Sequence, residues 1–259
     1  MVHFISQQDT IKAINLFSKY GLEVKPGGSH SDWGTRNHLL YANLTYVEFL
    51  QLEDTLKAKN SNNPLIKQHL HDVQFGIGIG QICIRVREIE KLQHKLHDLG
   101  LNVSDIYPGK RTRTDGKIIQ WKMLFINQDF NEYLPYPFFI EWEEDDNLRI
   151  EDFLQNGILG PTSRKREIST VWFAVKDIQT VAEKWRHLLE GNILSFEDKE
   201  YGMDGLEIDV QSTKIRFVSY DSLKKSSYFT VEHGCERPFL VELSNGKDLI
   251  HINGGYYHI

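Results

Sequence analysis

Two glutamates carry the strongest chemical signal in this chain. Glu48 lies inside Tyr46-Val47-Glu48-Phe49-Leu50 and Glu141 inside Phe138-Phe139-Ile140-Glu141-Trp142, each a carboxylate in the middle of an apolar run. A carboxylate turned into a core is unfavourable unless paired or coordinated, so two at matching places point to proton transfer or to holding a ligand. The alternative is that both face solvent from half-buried strands, and their immediate neighbours do not decide it. The repetition favours the inward reading. A second cluster is Gly27 to Asn37, GGSHSDWGTRN. Gly27 and Gly28 let backbone approach a ligand, His30 can exchange a proton near neutrality, Trp33 offers a stacking face, and Thr35 and Asn37 offer fixed hydrogen bonds. A β-turn around a buried tryptophan would use the same residues, but their convergence within eleven positions favours a cleft. Lys110, Arg111 and Arg113 precede Asp115-Gly116. That reads first as a solvated hairpin loop and second as a clamp for carboxylate or phosphate, because an arginine fork pairs two oxygens at once.

The elements that must position these residues repeat along the chain. Residues 11–24 (IKAINLFSKYGLEV) place Ile11, Ile14, Leu16 and Phe17 at a helical period and stop at Gly21. Residues 88–103 (EIEKLQHKLHDLGLNV) repeat the pattern with Ile89, Leu92, Leu96 and Leu99, and stop at Gly100. Each helix follows a short β-rich run, Val2 to Ile5 or Ile82 to Val86, and precedes three strand-like runs, the last of which holds the glutamate. A third copy spans strand Val171 to Val175, helix Ile178 to Leu189 and strands near Ile193 to Phe196, Leu206 to Val210 and Ile215 to Tyr220, without a glutamate in the last. The expected fold is therefore α+β, built of tandem βαβββ modules. Residues 1–150 are expected to hold two modules paired around a cleft, and 163–259 a third, degenerate module plus a C-terminal hairpin. Asn147 to Glu167 reads as the connection. His94 and His97 fall outside the leucine stripe and read as surface residues, and Gly76 to Gly80 as a linker.

Composition removes several classes of function. With 259 residues, 40% hydrophobic and 25% charged, the chain can bury roughly 70–75% of its unfolded surface. A net charge of −6 gives no domain-wide basic footprint, so no nucleic acid is expected. Cys83 and Cys235 stand 152 positions apart, which fits a reducing cytoplasm better than a disulfide framework. No apolar stretch near 18 residues appears, so no membrane partner is expected.

Taken together, GGSHSDWGTRN, YVEFL, Asn63-Pro64-Leu65, Arg111 to Gly116, Trp121-Lys122-Met123-Leu124 and Pro137-Phe138-Phe139-Ile140-Glu141-Trp142 resemble the glyoxalase-like domain family of bacteria. That family lies within the vicinal oxygen chelate superfamily of glyoxalase I, extradiol dioxygenases and bleomycin-resistance proteins. The resemblance implies paired βαβββ modules enclosing a substrate cleft, with metal ligands on the first and last strand of each module. It places Glu48, Gln81 and Glu141 at three ligand positions and the fourth just before Met1, as if the chain began one ligand late. A site of two Glu and one Gln would suit Mn, Mg, Fe or Ni, yet three donors are fewer than the implied cage needs, so the expectation is no cofactor. With the residue chemistry above, the candidate catalytic residues are His30, Glu48 and Glu141, and the candidate ligand contacts are Gly28, His30, Trp33, Thr35, Asn37, Arg113, Trp121 and Trp142. The implied activity is lyase, isomerase or dioxygenase-type chemistry on a small polar metabolite, with non-catalytic sequestration as the alternative. The third module is expected to pack against the paired domain or to join two chains into a homodimer.

Overall fold

The computed structural model describes residues 1–113, 116–230 and 234–259. The first unit runs β1 (Val2–Phe4), α1 (Gln7–Ser18), β2 (Val24–His30), β3 (Thr35–Ala42) and β4 (Thr45–Leu52). Ser6 begins α1 by accepting the Asp9 N–H at 3.2 Å, which satisfies one of the free donors of a first turn. Ala13 and Phe17 are buried, and the chain leaves through Gly21 at φ 70°, a left-handed value glycine adopts without steric cost. Ile11 is 55% exposed, because the buried stripe runs through Thr10, Ala13 and Phe17 instead. Then come α2 (Thr55–Asn60), α3 (Pro64–Asp72) and β5 (Gly78–Ile79). Asp54 and Asn63 cap the two helices, and Pro64 opens the second, where its missing N–H is not needed.

The second unit is β6 (Cys83–Arg85), α4 (Ile89–Asp98), β7 (Tyr107–Thr112), β8 (Ile118–Leu124) and β9 (Phe138–Trp142). In α4, Ile89 and Leu96 are buried, Leu99 is not, and His94 and His97 are exposed. α5 (Asp146–Gln155) follows, where the sequence suggested only a connection. The third unit is β10 (Ile168–Val175), α6 (Ile178–Leu189), β11 (Ile193–Asp198), β12 (Met203–Val210) and β13 (Thr213–Ser219). α7 (Tyr220–Lys225), β14 (Arg237–Leu243), β15 (Leu249–Ile252) and β16 (Gly255–His258) complete the described chain.

Strand order exposes the repeat. The three units read β2-β3-β4-β1, β7-β8-β9-β6 and β11-β12-β13-β10, and in each the first strand runs parallel to the last. β1 and β6 fall in different sheets, but the segment leading into β6 is bonded to β1, through Val2 N–H to the Gln81 carbonyl at 2.8 Å and Gly80 N–H to the Val2 carbonyl at 2.9 Å. The fold is thus α+β, of tandem βαβββ modules. The C-terminal segment is more than a hairpin. β14 lies antiparallel to β10, as β5 does to β1, and parallel to β16, which pairs with β15. First, last and third strands are all present, so this is a fourth module lacking its helix and second strand.

One core joins the two halves of the molecule. Phe17 and Phe49, on the α1 side of the first sheet, meet Tyr257 of β16 with ring centroids 5.3 and 6.3 Å apart. His3 is sealed into this contact, with Nδ1 on the Tyr257 hydroxyl and Nε2 at 3.2 Å from the Asn253 carbonyl. No helix among the described residues is long and apolar enough to cross a membrane.

Candidate ligand-binding cleft

Register sorts the candidate residues by face, because directly opposed residues share a side of the sheet. His30 opposes Thr35, Gly28 opposes Asn37, and Glu48 lies beside Val2 on one flank and Leu39 on the other. Gly28, His30, Thr35, Asn37 and Glu48 therefore share the concave face of the first sheet, with Tyr41 and Tyr46 further along it. The facing wall is Tyr107, Gly109, Arg111, Trp121, Met123, Phe138, Ile140 and Trp142 of the second sheet, with Cys83. The far edges of the two sheets meet, and Arg111 Nη1 donates to the Gly27 carbonyl across that seam.

Glu48 is the electrostatic centre of this face. Asn37 Nδ2 donates to its Oε1 at 2.7 Å. The Asn37 side chain lies directly over Gly27, where any Cβ would come within 2.0 Å of Asn37 Oδ1, so only glycine admits it. Burial raises the pKa of the Tyr46 hydroxyl well above its ordinary value and that of the Cys83 thiol as well, and the Glu48 charge adds to both. Burial also lowers the pKa of His30, against the pull of Glu48, so its imidazole is neutral near pH 7, with Nδ1 3.0 Å from Thr35 Oγ1. Trp33 lies 5.2 Å from His30 and 6.4 Å from Trp121, and Trp121 lies 5.5 Å from Trp142, centroid to centroid.

Helices cover this face at both ends. From α3, His69 stacks on Phe4 at 4.0 Å, and burial lowers its pKa to about 4. From α5, Phe153 packs 5.0 Å from Tyr41 and the Arg149 guanidinium sits 4.5 Å over Trp142. Arg149 is 4% exposed, and its Nη1 has no hydrogen-bond partner. Sequence reasoning missed Tyr46, Cys83, Arg149 and both covering helices. The signals available were the capping residues Asp54, Asn63 and Asp145, each an acid or amide at the start of a helical run.

Two expectations need correction. Glu141 does not face the cleft. It opposes Lys122 on the other side of β9, and its Oε2 accepts the Ile89 N–H at 3.3 Å, at the N-terminus of α4. Arg113 is no open clamp either, since both its terminal nitrogens grip Asp152 of α5 at 2.6 and 3.0 Å. The hairpin signal at Asp115 lies outside the described residues.

A cage of the superfamily's kind is also not assembled. The β1 residue beside Glu48 is Val2, whose backbone N–H also bonds the Gln81 carbonyl, so in strand order an aliphatic residue lies between Glu48 and Gln81. The concave positions of β9 are Phe138, Ile140 and Trp142. Among the described residues, no three His, Cys, Asp or Glu side chains come together. Glu48 and Gln81 alone do not fit a four-donor divalent site.

Two cavities have cleft-face residues in their walls. One, of about 260 Å³, is walled by Tyr46, Cys83, Ile140 and Trp142 of the paired modules and by Ile168, Val171 and Ile215 of the third, with Arg85, Thr45 and Thr213 among its polar residues. The other, of about 230 Å³, lies at the opposite end of β6 and is lined by Gln81 and Gln68. Neither has His30 or Glu48 in its wall.

No curated protein sequence matches the chain. Among solved structures, a hypothetical protein from Staphylococcus aureus superposes with a TM-score of 0.77 at 23% identity, over 99% of this chain and 95% of that one. Methylmalonyl-CoA epimerase from Mycobacterium tuberculosis gives 0.34 at 16% identity over 57% of this chain and 89% of that one. Glyoxalase I from Zea mays gives 0.35 at 12% identity over 93% and 72%. The family model described as a glyoxalase-like domain matches residues 1–189. With that match over most of its length and the βαβββ strand order repeated through it, the chain belongs to the glyoxalase-like domain family.

Proposed function

We propose that this protein binds a small, largely apolar molecule with a polar end, in the cavity where the paired modules meet the third. The observation that carries this reading is the composition of that cavity's wall. Tyr46, Cys83 and Trp142 come from the cleft face of both paired modules, while Ile168, Val171 and Ile215 close it from the third. Aliphatic and aromatic walls with a few polar groups are the common make-up of a small-molecule site. Arg85, which gives one nitrogen to Asp146, together with Glu167 and Ser212 would orient the polar end, since the Thr45 and Thr213 hydroxyls already donate to the Ala42 and Ile168 carbonyls. The ligand is thus more apolar than the polar metabolite the sequence suggested.

The donor set supports retention of the ligand over metal-assisted turnover by this chain. Glu48 is held by Asn37, His30 meets Thr35, and neither lines either cavity. The test is to incubate the purified protein with a metabolite mixture, with and without divalent metal, and to identify what is retained and what is converted. Retention without product, abolished by Ile215→Trp filling the cavity, is the expected result. Product formed only with added metal would overturn the proposal, as would retention that the filled variant leaves unchanged.

A further inference from the structure

The second cavity differs in chemistry from the first. About 230 Å³ in volume, it lies between α3 and the second sheet, and carboxamides dominate its polar lining: Asn62, Gln68, Gln81, Asn127 and Gln128. Lys67 is the one charged side chain among its described lining residues. Gln81 is 7% exposed, and its Oε1 has no hydrogen-bond partner. A buried carbonyl oxygen left without a donor is unfavourable, and a ligand N–H or O–H would satisfy it. One wall is flat, since Phe125 and Phe138 stack with centroids 5.3 Å apart and planes 17° apart, and Tyr107 meets Phe125 edge-on at 5.6 Å.

These features select a ligand type. A carboxamide presents a donor and an acceptor side by side, and its complement is another amide edge. Scarcity of charge in the lining disfavours an ion, because the exposed Lys67 alone would repay little of its desolvation. The volume is below the roughly 300–1,000 Å³ of drug-sized sites, which limits the occupant to about one ring. We propose that this chamber is a second binding site, for a neutral, flat, single-ring molecule with an N–H or O–H donor beside a carbonyl, the chemistry of a pyrimidine base or a cyclic amide. The proposal is independent of the ligand of the first cavity.

The experiment titrates the full chain with uracil and with nicotinamide, using benzoate and toluene as probes of similar size, followed by calorimetry and saturation-transfer NMR. Uracil or nicotinamide is expected to bind at or below millimolar concentration, with benzoate and toluene at least tenfold weaker. Gln81→Met keeps the volume and removes the amide, and should weaken binding at least tenfold. Should that variant fail to fold, Asn127→Trp, at an exposed rim position, should block access and abolish binding while the melting temperature stays near that of the parent. Three results overturn the proposal: no binding of either amide, equal binding of all four probes, or binding unchanged in the folded variants.

Discussion

In β4 the neighbours of Glu48, Val47 and Phe49, are buried against α1, which leaves the carboxylate on the cleft side with Asn37. In β9 the neighbours of Glu141, Ile140 and Trp142, look into the cleft, which leaves the carboxylate over the start of α4. Both strands read as a glutamate inside an apolar run, because in both the two faces of the sheet are covered. What separates them is the phase of a two-residue period, set by register with the neighbouring strand and by nothing within the five residues themselves. The same phase puts His3 under β16 while Val2 and Phe4 face the cleft.

Acid should have the largest effect on the molecule. Burial lowers the pKa of His3 to about 3 and that of His69 to about 4, whereas in the unfolded chain each takes up a proton near pH 6.5. The unfolded state then binds more protons below pH 6.5. Stability is full above that value, falls as pH drops, and levels off for each group once the folded form protonates too. For His3 the limit is on the order of 5 kcal/mol. Denaturant unfolding between pH 7 and 4 should show the decline, and His3→Gln should flatten it; an unchanged slope would place the acid sensitivity elsewhere.

Next in size, Glu48→Leu should lower the unfolding free energy by roughly 2 kcal/mol, since it strands the Asn37 amide. Adding Asn37→Leu should restore part of the loss, and strict additivity of the two would deny the pairing. Glu141→Gln should cost less than about 1 kcal/mol, the usual scale for a charge at a helix N-terminus. If it proves the more damaging of the two glutamate changes, the assignment of faces is wrong. Smallest of all, millimolar Mn²⁺ or Ni²⁺ should move the melting temperature by less than about a degree, because stabilisation by mass action requires a site that binds the folded state. A clear upward shift that Glu48→Leu removes would restore the metal to the cleft.

Much of the fold was legible because it repeats. The glycine exits at Gly21 and Gly100 and the helix from Ile178 to Leu189 stand where periodicity put them, and His30, Thr35 and Asn37 share one face with Glu48. What the sequence hid was relational. The face of Glu141, the grip of Asp152 on Arg113 and the stacking of His69 on Phe4 each depend on a partner from another element, 39 residues away in the case of Arg113 and Asp152. The truncated fourth module was invisible as a repeat because it lacks the helix, the element whose spacing reveals the others.

The contact between His3 and Tyr257 spans 254 positions and has a consequence for how the protein is made. At ribosomal rates of about 5–20 residues per second, roughly 13–50 s separate the synthesis of these two residues. Through that interval the outer side of the first sheet, with His3 and Phe49, has no β16 to cover it, although its own helix is already complete. The nascent chain therefore carries an exposed apolar surface until its last strand emerges, which makes this sheet the place where a chaperone would bind, and where stalled or truncated products would first aggregate.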